Sequence, residues 1–538
     1  MKRLLCYGLL IAAVGLAVTP LFAQTSQLGK VDFPTSGSPK AQEHFLRGLA
    51  ALHSFWYEEA LDEFKQATAI EPDFMMGYWG EAMSYNHPLW SEQDTPAARL
   101  VIAKLKDTPK LNDRERAYIN AVRTLYGEGD KRARDEAYSA AMEKIYRAYP
   151  NDLDAAAFYS LSLLGLGSSD KSYRIQARAG AIALEVYQRN PDHPGAAHYI
   201  IHAFDDPDHA ILALPAARRY ASIAPEAHHA QHMPSHIFLQ LGMWPEAAAS
   251  NEAAWQSSDA WMKRKNLSPS VRDYHSLHWL IYVYLQQGRY KKAEELLALM
   301  KNTMSDSTYD NKLRPGYYEN NYANMAAAFV IETQRWELAD KLFPATELQG
   351  NGVATAMSHG SHNGGSMDTV ATATLRTSTS GRRLPLFVRG YAASMAGSAT
   401  LATEAATPST INDFEVAAIA ASAKGDHARA ADLMKKAVAL EMANGPPSGP
   451  PSLIKPANEL FGELLLKAGK PREAAEQFKA ALLRQPNRAR SLLGSARAAA
   501  QSGDKAAATA AYQKFLEQWK LADPELPELK EAREYVGQ

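Results

Sequence analysis

A pattern of glycine, alanine, aromatic and proline residues recurs in this chain at a spacing of 34 residues. Gly469 is followed by Ala474, Phe478 and Pro486, and the pattern begins again at Gly503. A turn glycine beside apolar stripes at helical spacing predicts two short helices per unit. One helix pair cannot bury its apolar face alone, but neighbouring pairs bury each other. The period therefore predicts an all-α chain built by stacking.

The spacing, the small residues and the closing prolines resemble the tetratricopeptide-repeat (TPR) family. The resemblance implies a helix-turn-helix solenoid, coiled as a right-handed superhelix, over most of residues 41–520. It also implies a concave groove that holds a protein or peptide partner. Further units are marked by turn glycines and closing prolines, namely Gly242, Gly288 and Gly425, and Pro72, Pro150, Pro191 and Pro225.

Two stretches interrupt the repeats. Residues 444–451, rich in proline and glycine, predict a loop between units, and a segment rich in Gly, Ser and Thr predicts a long insert. The predicted organisation is a signal peptide (1–23), an N-terminal linker (24–40), an N-terminal repeat array with a histidine-rich groove (41–343), the insert (344–384), a C-terminal array (385–520), and a tail or capping helix (521–538).

The first residues have the composition of a secretory signal peptide. Lys2 and Arg3 precede an apolar run at residues 4–18, and Ala23 offers a small residue for cleavage. The alternative is a membrane anchor, for which the run is short. The single cysteine, Cys6, lies within this run, so the mature chain would have no thiolate ligand. We expect a bacterial periplasmic or secreted protein with no transmembrane segment after cleavage.

The charge balance excludes one class of partner. Lysine and arginine number 58, aspartate and glutamate number 59, and the formal net charge is -1. The sequence has no cluster of lysine and arginine that would form a basic surface, and nucleic-acid binding depends on such a surface. A nucleic-acid partner is therefore not expected.

Histidines are concentrated in one part of the chain. Ten of the 16 lie between positions 193 and 278. His198 and His202 are four residues apart, and His232 and His236 repeat this pair 34 residues later. Residues four apart share one face of a helix. Two aligned pairs on consecutive repeats predict a site rather than a chance excess of histidine.

The resemblance implies that these positions face the concave groove. In the repeat frame, His278 matches His198 and His232, while His275 matches His229. Packed helices lie about 8–10 Å apart, so imidazoles on adjacent helices could share an ion. The predicted metal ligands are His198, His202, His232, His236 and His278, and the ion would be Zn, Cu, Ni or Fe. The other predicted groove residues are His87, His229, His275, Glu459 and Glu463.

Two other interpretations of the histidines stay open. They could bind an acidic or aromatic peptide as hydrogen-bond donors and stacking faces, or they could be polar groove residues satisfied by their neighbours. Asp205 or Asp206 could complete a metal shell, although both also suit turn and helix capping. Pro234 predicts a kink, which would move His232 off the shared face if a new helix began there.

Two functional hypotheses follow. The first is an exported TPR protein that binds a peptide or protein partner, with a structural ion in its groove. The second is a metal-dependent enzyme, a hydrolase or an oxidase, that uses the histidines. No catalytic residue is assigned, because the sequence lacks a nucleophile elbow, a phosphate-binding loop and an HExxH zinc motif. The set at residues 198–202, 232–236 and 275–278 resembles a subgroup of exported bacterial TPR proteins.

Overall fold

Helices make up almost all of the regular structure. The computed structural model describes residues 28–167, 170, 172–309, 316–344, 380–396, 408–451 and 453–537. The predicted signal peptide and residues 345–379 of the predicted insert lie outside the described residues. None of the described helices combines the length and apolar character that crossing a bilayer requires.

The helices follow one another with short connections. The N-terminal half contains α1 (Pro39–His53), α2 (Tyr57–Ile70), α3 (Met75–Met83), α4 (Thr95–Ile102), α5 (Asp113–Leu125), α6 (Lys131–Ala148), α7 (Leu153–Gly167), α8 (Arg174–Arg189), α9 (Pro194–Ala203), α10 (Ala210–Ile223), α11 (His228–His232), α12 (Pro234–Gln240) and α13 (Trp244–Lys265). A two-residue antiparallel pairing joins β1 (Asn86–His87) to β2 (Glu92–Gln93).

The second half continues in the same way. Its helices are α14 (Tyr274–Gln286), α15 (Tyr290–Met304), α16 (Tyr317–Thr333), α17 (Ala339–Leu342), α18 (Ser380–Met395), α19 (Ile411–Ala423), α20 (His427–Ala443), α21 (Ala457–Lys467), α22 (Pro471–Arg484), α23 (Ala489–Gln501), α24 (Lys505–Gln518) and α25 (Pro527–Val536). Single 3-10 turns lie at Pro88–Trp90, Pro269–Val271 and Trp336–Leu338.

Packing is sequential, as a repeat array requires. Most helices pack on the next one, for example α7 on α8 and α23 on α24. First helices of consecutive units also touch, as α7 and α9 do. The prediction of an all-α helix-turn-helix solenoid is confirmed.

Phe478 and Phe64 occupy the same repeat position, and their rings leave no space for a side chain at the facing glycines. A Cβ atom at Gly494 would lie 2.3 Å from the ring of Phe478, and one at Gly462 would lie 2.7 Å from it. Phe64 has the same surroundings, because a Cβ atom at Gly80 would lie 2.3 Å from its ring. The aromatic ring of a second helix thus fills the space between two consecutive first helices.

This close approach gives a stability prediction. We expect Gly494→Ala to lower the free energy of unfolding by about 1–2 kcal/mol. Overpacking of a core costs about 1–3 kcal/mol, and the close contact here favours the upper end of that range. Alanine gains only ~1 kcal/mol over glycine in helix propensity, so the cost outweighs the gain. Denaturant unfolding measures the change. Phe478→Leu added to the same chain should reduce the clash, and an unchanged midpoint in the single variant would contradict the close packing.

Both ends of the described array are covered. Residues 28–38, within and near the predicted linker, pack onto the first units, where Phe33 is fully buried with its ring centroid 5.0 Å from that of Tyr118. At the other end, α25 buries Leu529 and Ala532. The predicted tail or capping segment thus contains a helix that packs on α24.

The C-terminal units also contact the middle of the chain. Trp244 Nε1 donates to the carbonyl oxygen of Asn487 at 2.9 Å. The side-chain oxygen of Gln286 accepts from the backbone N–H of Ala489 at 3.0 Å. The backbone carbonyl oxygen of Gln286 accepts from Trp519 Nε1 at 3.0 Å. These contacts bring the last repeats against the ends of the histidine-bearing units.

Candidate metal centre

The concentrated histidines meet where the first helices of three consecutive units lie side by side. Six of them form two groups, and within each group one ring nitrogen per residue lies within 4.8 Å of the others. The first triad joins α9 to α11, and the second triad joins α11, α12 and α14. The first triad is His198, His202 and His229, and the second triad is His232, His236 and His275.

The second triad fixes the proton positions of two rings. His232 Nδ1 donates to Asn251 Oδ1 at 2.7 Å, and His236 Nδ1 donates to Asp205 Oδ2 at 2.7 Å. The amide of Asn251 is oriented by its own N–H bond to the carbonyl oxygen of Ala247 at 2.8 Å. With both Nδ1 atoms protonated, the neutral rings carry lone pairs on Nε2. These two Nε2 atoms face each other at 3.2 Å.

The first triad has a similar arrangement. His198 Nδ1 donates to the carbonyl oxygen of His53 at 2.8 Å, which leaves a lone pair on its Nε2. The Nε2 atom of His202 lies 3.1 Å from that atom. The ring of His229 completes the triad, with its centroid 5.0 Å from that of His198. Each triad thus turns imidazole nitrogens towards a common point.

Burial holds four of the six triad imidazoles in the neutral form. Burial, together with repulsion from His236, lowers the pKa of His232 to about 4. Burial also lowers the pKa of His198 to about 3, against the opposing effect of its bond to the His53 carbonyl. Burial likewise places the pKa values of His202 and His275 well below the usual range. Neutral imidazole is the form that binds metal, so these nitrogens are available at neutral pH.

Asp205 orients the second triad from outside. It is nearly fully buried and accepts from His236, from Gln240 Nε2 at 3.1 Å and from the backbone N–H of Gly449 at 3.0 Å. Burial raises the pKa of this carboxyl, but the interactions with His236 and the other donors outweigh it, so the pKa is lowered. A carboxylate that accepts from the far nitrogen of a histidine is the usual outer partner of a metal ligand. Gly449 lies in the predicted 444–451 loop.

A substitution at Asp205 separates this role from general packing. We expect Asp205→Asn to weaken metal affinity at the second triad by about 10–100-fold, as is typical for outer-shell partners of ligating histidines. The amide keeps the shape of the side chain but removes the charge that holds the His236 Nδ1 proton. Competition with a chelator measures the affinity, and the exposed Asp208→Asn is the matched control. Equal affinities in both variants would contradict this role.

Pro234 ends one helix without displacing the histidines. α11 ends at His232 and α12 begins at Pro234, as the sequence suggested. Met233 between them keeps right-handed helical dihedrals, with φ -54° and ψ -37°. The chain therefore continues in a nearly helical path, and His232 and His236 stay on one face.

Aromatic side chains enclose both triads. Phe55 packs edge-on against His198 at a centroid distance of 4.2 Å, and Trp279 lies 4.3 Å from His236. Phe55 adopts a left-handed backbone conformation with φ 54°. A bulky residue rarely takes that conformation unless its surroundings impose it. The ring is thus held against the first triad at the cost of local strain.

A third group contains two further histidines, and both form hydrogen bonds within it. His53 Nε2 and His193 Nε2 lie 2.8 and 3.3 Å from Asp154 Oδ1. His193 Nδ1 accepts from the N–H of Ala196, so its Nε2 donates to the carboxylate. Tyr199 hydroxyl donates to His53 Nδ1 at 2.9 Å. This group is best described as a hydrogen-bond network. Sequence spacing did not reveal His53, which lies far from the concentrated histidines.

The remaining predicted histidines lie around the triads. His278, predicted as a ligand, belongs to neither triad, whereas His275, predicted as a groove residue, takes part in the second. His87 is buried against Tyr57, with ring centroids 3.9 Å apart.

The predicted carboxylates have other partners. Glu459 and Glu463 pair with Lys455 at 2.9 and 2.6 Å in the C-terminal array. Asp206 accepts from His209 Nδ1 at 2.8 Å, as a turn residue would. Of the carboxylates considered, Asp205 is the one in contact with a triad.

The comparisons agree with the helix packing in one segment. Residues 460–523 match the family model described as a tetratricopeptide repeat. The chain carries a tetratricopeptide repeat. The match runs from α21 to just beyond α24, and the earlier helix pairs also pack one after another along the chain. Arrays of this type present concave surfaces that bind protein partners.

Similarity elsewhere is distant. No curated protein sequence matches the chain. The chain is similar to a structure of the APC/C hetero-tetramer Cut9-Hcn1, with 11% identity over 93% of this chain and 76% of that one and a TM-score of 0.34. It is similar to yeast Tom70, with 11% identity, 93% and 88% coverage and a TM-score of 0.26. It is also similar to the P58(IPK) TPR domain, with 11% identity, 93% and 98% coverage and a TM-score of 0.20. Such low scores carry no conclusion about function.

Proposed function

We propose that this TPR protein binds transition-metal ions at its two histidine triads. One observation carries the proposal: His232 and His236 turn their Nε2 lone pairs towards each other at 3.2 Å, while both Nδ1 atoms donate to oxygen. A cation between these atoms would convert a buried repulsion into two bonds. Nitrogen ligands of a tetrahedral ion, at bond lengths of about 2.0–2.1 Å, lie roughly 3.4 Å apart, close to the separation found here.

The donor set limits the choice of ion. Each triad supplies imidazole nitrogens, which suit Zn, Cu, Ni and Fe, whereas Mg and Ca prefer oxygen ligands. The partners of the far nitrogens, Asn251, Asp205 and the His53 carbonyl, fix the ring orientations as they do around bound metals. The chemistry of the site therefore fits the transition metals expected from the sequence.

The incomplete donor set favours a second candidate, a metal-dependent enzyme such as a hydrolase or an oxidase. Three protein ligands leave one position for water or substrate, and a bound ion supplies an activated hydroxide or polarises a carbonyl there. His202 and His275 are partly exposed, which gives each triad one side open to small molecules. Hydrolysis of an activated ester by the zinc-loaded chain tests this candidate. An equal rate in the His232→Ala chain would reject it.

A protein or peptide partner and an exported location complete the proposal. The helix-pair scaffold supports the partner, and the signal-like composition of residues 1–23 supports a periplasmic or secreted location. Four of the six triad imidazoles are buried, and the rings point at one another. A peptide partner would therefore contact residues other than these imidazoles.

Metal content of the natural chain tests the main proposal. The full chain is purified without a polyhistidine tag, stripped with chelator, reloaded in separate samples with Zn²⁺, Cu²⁺, Ni²⁺ or Fe²⁺, and passed through a desalting column. Element-resolved mass spectrometry should then find metal retained at micromolar supply. A chain that retains none of the four candidate metals would overturn the proposal.

A further inference from the structure

The two triads are neighbours rather than separate sites. The ring centroids of His202 and His236 lie 5.7 Å apart, and those of His229 and His232 lie 6.0 Å apart. Rings within one triad lie only about 1 Å closer, since His198 is 4.8 Å from His202 and His232 is 5.0 Å from His236. The six imidazoles therefore form one continuous cluster.

The imidazoles of the two triads would not offset the charge of bound ions. All six donors are imidazole nitrogens, which bind metal in their neutral form, and two divalent ions would bring four positive charges into a buried region. Asp205 is bonded to His236, and Asp273 is bonded to Ser276 and lies 3.4 Å from His228. These two carboxylates offset part of the charge from outside the donor sets. A small anion between the ions would offset more, because charges in a buried region need close compensation.

We infer that the two triads form one dinuclear centre whose ions share a bridging hydroxide. The inference rests on the proposed metal binding and specifies its nuclearity and its ligand. Ions that share a bridging oxygen lie about 3.5–4 Å apart in two-metal sites. The hydroxide derives from a bound water that loses one proton to solvent, so no oxidant or reductant is needed.

Aromatic rings flank both triads, where the bridging ligand would lie. Phe55 stacks beside His202 and His229, with centroids 5.8 and 5.7 Å away. Trp279 covers the second triad, with its centroid 5.0 Å from His232 and 5.7 Å from His275. These two aromatic walls flank the triads, which favours a small bridging ligand such as hydroxide over a peptide. The open sides at His202 and His275 are where such a ligand would enter.

Copper is a suitable probe because each isolated Cu²⁺ ion carries one unpaired electron. The tag-free, metal-stripped full chain is titrated with Cu²⁺, and bound copper and electron paramagnetic resonance intensity are measured on the same samples. We expect two copper ions per chain and a loss of most of the signal, because a bridging hydroxide couples the two spins. His202→Ala and His275→Ala should each retain one ion and recover the signal of an isolated ion.

Controls separate the possible failures. His427→Ala changes a histidine of the C-terminal array and should behave like the unmodified chain, and circular dichroism checks that each variant keeps its helices. If His275→Ala loses helix, His275→Gln replaces it. Two ions per chain with full signal intensity, or one ion per chain that both variants abolish, would overturn the dinuclear centre and leave metal binding intact. No retained copper, together with no retained zinc, nickel or iron in the metal-content test, would overturn the proposed function itself.

Discussion

Zinc or copper should stabilise the metal-stripped chain by about 4 kcal/mol per occupied triad at roughly 1,000 times the dissociation constant. The physical reason lies in the second triad, where the Nε2 atoms of His232 and His236 face each other at 3.2 Å without a proton between them. The folded chain presents this arrangement ready for an ion, whereas the unfolded chain has no preformed site. Denaturant unfolding with and without the ion measures the gain.

A variant assigns the gain to the triads. His232→Ala should remove the contribution of the second triad, because the alanine leaves His236 and His275 without their shared neighbour. The first triad should keep its own contribution. His427→Ala, in the C-terminal array, should show the full gain. If His232→Ala gained as much stability from the ion as the unmodified chain, the ion would have to bind elsewhere.

The sequence located four histidines well because two periods coincide there. Four-residue spacing places His198 beside His202 and His232 beside His236, and the 34-residue period stacks one pair on the other. Pro234 threatened this inference, since a proline removes an N–H and crowds the preceding turn. The helical dihedrals of Met233 keep the second pair together. No pattern in the sequence specifies those dihedrals.

The third helix was harder to place in register. Spacing assigned His278 to the metal and His275 to the groove, but the structure brings His275 into the second triad. The helix α13 between the units has 22 residues, whereas α10 has 14, so the 34-residue frame does not extend through it. Asp273 caps α14 and starts it at Tyr274, which places His275 on its first turn. The start of α14 therefore sets the position of His275 beside the second pair.

Partners of the ligands were mostly invisible to sequence reasoning. Asp205 was considered because it follows His202 closely, but its contact to Gly449 spans 244 residues. Asn251, which orients His232, belongs to no motif. Such contacts depend on how the whole array curves, and small rotations between repeats add up over many units. The sequence can indicate which residues bear the chemistry before it can indicate what holds them.

The contacts of the glutamates in the C-terminal array could not be predicted from the sequence for the same reason. Glu459 was expected in the groove, but it is fully buried and bonded to Arg488 Nε at 2.8 Å. Arg488 also donates to Tyr282 hydroxyl at 2.8 Å and to Glu332. One guanidinium thus joins α21, α16 and α14, and fixes the last repeats to the histidine-bearing part of the chain.

Loss of this guanidinium should be among the most destabilising single changes in the protein. We expect Arg488→Met to lower the free energy of unfolding by about 3–5 kcal/mol, the usual cost of removing one member of a buried ion pair. The nearby charges lower the pKa of Glu459 despite its burial, which would otherwise raise it. In the variant Glu459 would keep Lys455, at 2.9 Å, but Glu332 would lose its ion-pair partner. Urea unfolding measures the change.

The matched control is Arg472→Met, which removes an exposed arginine from α22. Surface changes of this kind usually alter stability by less than about 0.5 kcal/mol. The double variant Arg488→Met with Glu332→Gln should recover part of the loss, because it removes a buried charge that the single variant leaves unpaired. If Arg488→Met and Arg472→Met unfolded at the same urea concentration, the guanidinium would not hold the two parts of the array together.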